Sequence, residues 1–509
     1  MRLLFSLLFC FTLFSFSSAQ VEYVERLELE LKDDYEGEEI YEFGDNGFLL
    51  LAQSEDKSRG KREWKIDHYD TDLQLVESKK FEVHKRYRVD SYSKQDDEIQ
   101  ILLNRGRGKI GVLSISLRTG SVEIDITEVK IPKKLMIDFI LSSGDITFLS
   151  GSTFKMFGGS EHVIAQIDNR KATVTLEPVR IVGAKQKFLD VESFFRDEIT
   201  GNITCHITQI NKSEKRVLSH FIVYDESGEK LDKFEVSDNS GKSITSLSST
   251  QFSDSERMIT GTYSEKWRSS SMGLFFGKMK GQDIDFIEYY PFTDLDNFLN
   301  YLPEKKQERL ERRKKRKKRK GKDFNLSYLM ASHGVINVDD GNKGYIYIGE
   351  AYYPTYRTET YTTTDSNGNT ITQTRTVFDG YQYTHAVIAR FDEKGNMLWD
   401  HIMELNIARK PFYVKRFIAI AEDKQDGVKM TYSSDFKIHV KKISFDGEIL
   451  LDQESEEIDF GQGDKLKRAT ADITFWYDNF FLAYGTQKIK DGGVFNKRKV
   501  FFMSKIKVD

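Results

Sequence analysis

Seven residues in one stretch have the types that a recognition surface uses: Glu350, Tyr352, Tyr353, Tyr356, Arg357, Tyr381 and Tyr383. A tyrosine carries a large ring, a hydroxyl tip and few rotatable bonds, so its contacts cost little entropy. On an extended chain, alternation sends Tyr352 and Tyr356 to one face with Glu350 beside them. It sends Tyr353 and Arg357 to the other. Such a patch suits stacking on sugar rings or anchoring a protein partner. The plainer reading is that the rings cover neighbouring strands. A second constellation is cationic. Arg312 to Lys320 is an unbroken basic run, in which Arg312, Arg313, Lys314, Lys315 and Arg316 are the candidate binders of an anionic partner. Residues 305–322 hold 13 basic and 2 acidic side chains, a net of +11 against −4 for the whole chain, so the remainder carries −15. Anionic lipid headgroups or an acidic glycan fit that charge; a solvated arm resting on an acidic body is the alternative. Nucleic acid is set aside, because the run lacks interleaved aromatics for base stacking and the chain opens with an export signal.

Other chemistry is searched for without yielding a site. The 9 histidines are scattered, with no His-Glu-x-x-His and no zinc-ligand spacing, so no metal is expected. Neither a Gly-x-Ser-x-Gly elbow nor a phosphate or dinucleotide loop occurs, and no cofactor is expected. Asn337-Val-Asp-Asp-Gly341-Asn reads as a turn between strands, since the carboxylate that completes a calcium loop is missing. Carboxylates are abundant enough for a glycosidase or lyase pair, but none can be pointed to. Cys205 lies in an alternating run and reads as a buried, inert thiol.

The elements that must position these residues repeat. A β-rich run, a turn of Asp, Gly or Asn type and a second β-rich run occur around Asp225-Glu-Ser-Gly228, Asp392-Glu-Lys-Gly395 and Asp446-Gly447. Looser copies centre on Thr71, Thr119, Asn169 and Gly281. Two further strand candidates precede each copy, as Tyr87-Arg-Val-Asp-Ser-Tyr and Ile99-Gln-Ile-Leu-Leu precede Thr119. Four short strands at a spacing of about 50 residues is the pattern of β-propeller blades. The chain ends on Lys499-Val-Phe-Phe-Met-Ser-Lys-Ile-Lys, a third strand without a fourth. Val21-Glu-Tyr-Val-Glu-Arg-Leu-Glu-Leu is a strand without a hairpin partner. Pairing the two removes two open edges. The expectation is an all-β, eight-bladed propeller whose last blade is closed by both termini. Seven blades, or an array of β-sandwiches, are the alternatives.

The domain order follows. Residues 1–19 read as a signal peptide: Arg2, an apolar run to Phe16, then small residues before a cut at Ala19-Gln20. A retained anchor is the alternative. Residues 20–293 hold blades one to five. Residues 294–323 are a charged helical insertion, with a short helix over Asp294–Leu302 and a longer one starting at Pro303. Residues 324–509 hold blades six to eight, with a long Tyr- and Thr-rich hairpin at 345–385 turning at Asn367-Gly368. The expected product is a monomer secreted to the periplasm or beyond. It is a non-catalytic binding or scaffolding protein acting on a protein or polysaccharide of the envelope. A carbohydrate-active enzyme is the alternative.

Two stretches resemble a known group. They are Phe298-Leu-Asn-Tyr-Leu with Glu308-Arg-Leu-Glu-Arg-Arg-Lys-Lys, and Ile348-Gly-Glu-Ala-Tyr-Tyr with Tyr383-Thr-His-Ala-Val-Ile-Ala-Arg-Phe-Asp and Gly395-Asn-Met-Leu-Trp399. Over about a fifth of the chain they resemble exported β-propeller-like proteins of Gram-negative bacteria. The resemblance implies a fold and a compartment, and brings no activity and no catalytic residue. The Trp399 strand also resembles quinoprotein-type repeats, without their cofactor-binding pattern.

Overall fold

A computed structural model describes residues 21–31, 35–56, 60–95, 97–155, 159–197, 199–238, 240–251, 253, 255–265, 270–338, 343–364, 368, 370–423, 427–434, 436–458, 465–490 and 497–508. The segment expected to be a signal peptide, the Asn367 turn position and most of the Asn337–Asn342 turn lie outside them. Among the described residues the strands form eight antiparallel sheets. In chain order these are sheet 1 (35–84), sheet 2 (88–130), sheet 3 (135–178), sheet 4 (189–236), sheet 5 (243–291), sheet 6 (329–404), sheet 7 (419–457) and sheet 8 (465–508 with 21–30). Seven have four strands. Sheet 6 has five, because its first position is split between Leu329–Ser332 and Ile336–Val338, both paired to Gly344–Thr364.

Hydropathy explains each strand's place. Second and third strands are continuous apolar runs, such as Glu98–Gly106 and Lys109–Ser116, where Ile99, Ile101, Leu102, Val112 and Leu113 are fully buried. They are covered on both faces, which removes any need to alternate. Fourth strands such as Leu75–His84 largely alternate exposed with half-buried residues, as one covered face requires. Apolar cores fill the spaces between consecutive sheets. Trp64, Ile66, Ile101 and Leu113 join sheets 1 and 2. Ile346, Ile388, Met430 and Ile443 join sheets 6 and 7. Phe48, Leu50, Trp476 and Leu482 join sheet 8 to sheet 1. Cys205 is fully buried in the core between sheets 3 and 4, where burial pushes its thiol pKa up, as expected of an inert thiol.

The turns expected from sequence join the third and fourth strands of their sheets. At Asp225 and Asp392 the carboxylate accepts two backbone N–H bonds, from Ser227 and Glu229 and from Lys394 and Asn396, at 2.8–2.9 Å. Gly395 and Gly447 supply the positive φ that closes the turn, and each also lies against the preceding sheet. A Cβ there would stand 2.7 Å from Phe286 and 2.6 Å from Trp399 respectively. The Trp399 indole donates to the Phe445 carbonyl at 2.9 Å, so this Trp is an inter-sheet tie.

Sheet 8 is built from both chain ends. Val21–Glu30 pairs antiparallel with Lys497–Val508, from Val21 opposite Val508 to Glu30 opposite Val500. The insertion between sheets 5 and 6 corrects one expectation. Residues 294–302 are turns, not a helix. Phe298 is drawn into the core between those sheets, stacked on Phe292 with ring centroids 4.4 Å apart. The N–H groups of Asp296 and Asn297 donate to the Asp400 carboxylate at 2.9 and 2.8 Å. A side chain of sheet 6 thus ties the backbone of this segment down in its turns. Helix α1 (Glu304–Arg319) begins after Pro303, as expected, and buries no residue. Among the described residues no helix is long and apolar enough to cross a membrane.

Candidate binding face

Consecutive antiparallel strands put the second-to-third turn of a sheet and the connection to the next sheet at the same end. The hairpin Gly344–Thr364/Thr370–Asp392 is the second-to-third connection of sheet 6, and α1 lies in the connection from sheet 5 to sheet 6. They therefore share one end, where the turn segment just before α1 packs on the hairpin base. Tyr301 stacks on His385 with centroids 3.9 Å apart. Burial pushes the His385 pKa down to about 3, so the ring is neutral among Phe298, Tyr301 and Tyr328.

The hairpin divides the seven predicted residues by depth. Glu350 and Tyr383 are not on a surface. Glu350 is fully buried and accepts from the N–H groups of Phe417 (2.9 Å) and Ile418 (3.0 Å), and bonds His333 Nε2 at 2.8 Å. It fixes the 405–418 connection onto sheet 6. Tyr383 is 1% exposed; its hydroxyl accepts from Lys415 N–H at 2.9 Å and donates to the Lys415 carbonyl. The sequence reading placed both in the contact patch, but the 405–418 connection folds over them. Tyr352 and Tyr381 are half-buried against the core of sheets 6 and 7. Tyr353 and Tyr356 are 50% and 62% exposed. Arg357 is exposed, hydrogen-bonded to Glu359 and Asp379.

Rings run continuously from core to surface. Tyr383 meets Tyr352, Tyr352 meets Tyr381, Tyr381 meets Phe378, and Phe378 meets both Tyr356 and Phe412, all with centroids within 6.0 Å. Sequence reasoning missed the outer part. Phe412, Tyr413 and Val414 are 69%, 69% and 47% exposed on an irregular connection. The readable signal was three consecutive large apolar residues outside any strand pattern.

The basic residues are brought together on α1. Gln307, Leu310, Lys314 and Lys317 are half-buried at helical spacing and mark the stripe that rests on the protein. Lys314 donates to the Thr293 carbonyl. Arg313 and Lys317 each lie 5.8 Å from the Phe324 ring centroid. Arg312 pairs with Glu308 at 3.4 Å, and Lys315 and Arg316 are exposed. Among the described residues no carboxylate of the sheets pairs with an α1 cation. The helix lies on the surface, but its charge is not cancelled there.

A separate acidic group sits on the first strands of sheets 3 and 4. Asp138 and Glu192 occupy the register shifts of Leu135–Ser143 and Leu189–Arg196. Both side chains are exposed to water. Desolvation, then the nearby Asp190 charge, raises both pKa values. Among the described residues the four buried carboxylates are otherwise engaged: Asp67 with Ser78 and Lys65, Asp197 with Arg257, Glu350 and Asp400 with backbone amides. Among the described residues no group of three or more His, Cys, Asp or Glu could hold a metal.

No family model matches the chain, and no curated protein does. Among solved structures it is similar to the polysaccharide lyase Uly1, at 10% identity and TM-score 0.36, over 96% of this chain and 100% of that one. It is similar to the β-propeller domain of the Trilobed protease from Pyrococcus furiosus, at 10% identity and TM-score 0.34, over 82% and 98%. It is similar to the N11 neuraminidase-like protein of A/flat-faced bat/Peru/033/2010, at 11% identity and TM-score 0.28, over 70% and 93%. Likenesses at TM-scores under 0.5 carry neither activity nor ligand to this chain.

Proposed function

We propose that the eight sheets are the blades of a closed propeller, exported after cleavage near Ala19-Gln20, that serves as a non-catalytic binding or scaffolding monomer of the bacterial envelope. Its working surface is the end bearing the hairpin and α1. One observation carries this reading: an uncompensated cationic helix and an exposed aromatic surface flank the same hairpin base. Solvated charges and largely exposed rings on one end of a fold suit recognition better than stability. The core joining sheet 8 to sheet 1 supports closure.

The test is sedimentation of purified protein with envelope fractions. Retention should fall when Tyr353, Tyr356, Phe412 and Tyr413 are changed to Ser, and when α1 is neutralised, with the melting point held. Wild-type protein that stays in the supernatant would refute the reading. A carbohydrate-active enzyme is the second reading, favoured by the perturbed pair Asp138 and Glu192. Release of sugars or unsaturated ends from envelope polysaccharide, abolished by Asp138→Asn or Glu192→Gln, would replace the first reading with this one.

A further inference from the structure

The cations of α1 are not equivalent. One flank borders a groove of about 710 Å³ lined by Lys306, Arg309, Arg312, Arg313 and Arg316, with Leu302 and Leu310 among its walls. Lys305, Lys315, Lys318 and Arg319 are exposed elsewhere on the helix. Resting on the binding face proposed above, we propose that this groove is the seat of a linear acidic polysaccharide bearing one carboxylate per sugar.

Four features point to that ligand. The groove is of the volume that takes a few sugar units. Four of its five cations are arginines, whose planar fork matches a carboxylate in two hydrogen bonds. Arg309, the Arg312–Arg313 pair and Arg316 recur every three or four residues, about 5 Å along the axis, comparable with one sugar unit. Leu302 and Leu310 offer apolar surface to the ring faces. An anionic bilayer fits less well. α1 has no fully exposed apolar residue to insert into it: its one apolar side chain, Leu310, is half-buried. Such a surface would engage the outward lysines at least as well as the groove arginines.

The experiment compares two variants with equal charge loss in the full mature chain. The groove variant is Arg309→Gln, Arg312→Gln, Arg313→Gln and Arg316→Gln. The outward variant is Lys305→Gln, Lys315→Gln, Lys318→Gln and Arg319→Gln. Glutamine keeps helix propensity and α1 buries no side chain, so both should fold, checked by circular dichroism and melting. The probes are oligogalacturonates of increasing length, neutral dextran, and vesicles of mixed neutral and anionic lipid. The expected result is oligogalacturonate binding that strengthens with length and levels off near four sugars, since Lys306–Arg316 spans about 15 Å. The groove variant should lose about tenfold or more in affinity and the outward variant much less. Dextran should not bind. Equal losses in both variants would overturn the groove as the seat. Vesicles binding more tightly than oligogalacturonate would overturn the ligand class. If envelope retention persists in the groove variant while oligogalacturonate fails to bind the wild type, the binding face stands and this proposal falls.

Discussion

Tyr383→Ser and Tyr356→Ser should have opposite consequences, although both residues belong to one sequence patch. Tyr383 is 1% exposed, with its ring against Tyr352 and Phe417 and its hydroxyl on the Lys415 backbone. Truncating a buried aromatic ring costs about 3–5 kcal/mol through lost transfer energy and the cavity left behind. Stranding the Lys415 N–H adds about 1–3 kcal/mol. The sum of roughly 4–8 kcal/mol is a large share of the stability of an ordinary domain. Tyr356 is 62% exposed and has one ring neighbour, Phe378, so its loss should cost under about 1 kcal/mol. Urea denaturation followed by fluorescence reads the stability, and retention on envelope fractions per folded molecule reads the function. The expected outcome is a large drop in midpoint for Tyr383→Ser with retention proportional to folded protein. Tyr356→Ser should keep its midpoint and lose retention. A Tyr383→Ser protein as stable as wild type would refute the packing argument. A stable Tyr356→Ser protein with full retention would refute the placement of the binding surface.

Deleting residues 20–31 should leave Lys497–Val508 unpaired and strip Val21, Leu27 and Leu29 from two cores, giving insoluble protein on expression; soluble, cooperatively melting protein would contradict the role of the composite sheet. Replacing Glu304–Lys320 by a short Gly/Ser linker should move stability by less than about 1 kcal/mol in calorimetry, because α1 buries no side chain. His206 and His385 are both held near a pKa of about 3 by burial, against about 6.5 when unfolded. Folded values depressed in this way give stabilisation that is whole above about pH 6.5 and lost as pH falls toward about 3, by up to about 1.4 kcal/mol per unit for each His. The double variant His206→Phe, His385→Phe should flatten the acid limb of a stability-against-pH curve, and an unchanged slope would show that other groups set it.

The repeat was legible because it is written in local chemistry. A reversal needs a residue that tolerates positive φ, and Gly228, Gly395 and Gly447 announce theirs. The first copy was looser because Leu73 takes that conformation without being glycine, held by the Asp70 carboxylate that accepts from Asp72 and Gln74. The pairing of the two ends followed from counting strands. The Asp294–Leu302 segment was misread because its helical spacing was real but weaker than two tertiary demands, a buried seat for Phe298 and the Asp400 carboxylate.

The sequence by itself determined the strands, the turn positions, the composite last sheet, the start of α1 and the gathering of charge on it. These depend on neighbours within a few residues or on the number of strands. Only the tertiary structure decided which tyrosines are surface and which are core, because alternation assigns a face but not what covers it. The 405–418 connection lies over Glu350 and Tyr383 and carries Phe412 and Tyr413 outward, through bonds between residues 32 to 68 positions apart. It likewise decided that α1 rests on Gln307, Leu310, Lys314 and Lys317 with four of its five arginines along a groove. A helix polar on all sides carries no hydrophobic stripe to announce its orientation. Its seat was set by contacts with Thr293 and Phe324, which no local pattern records.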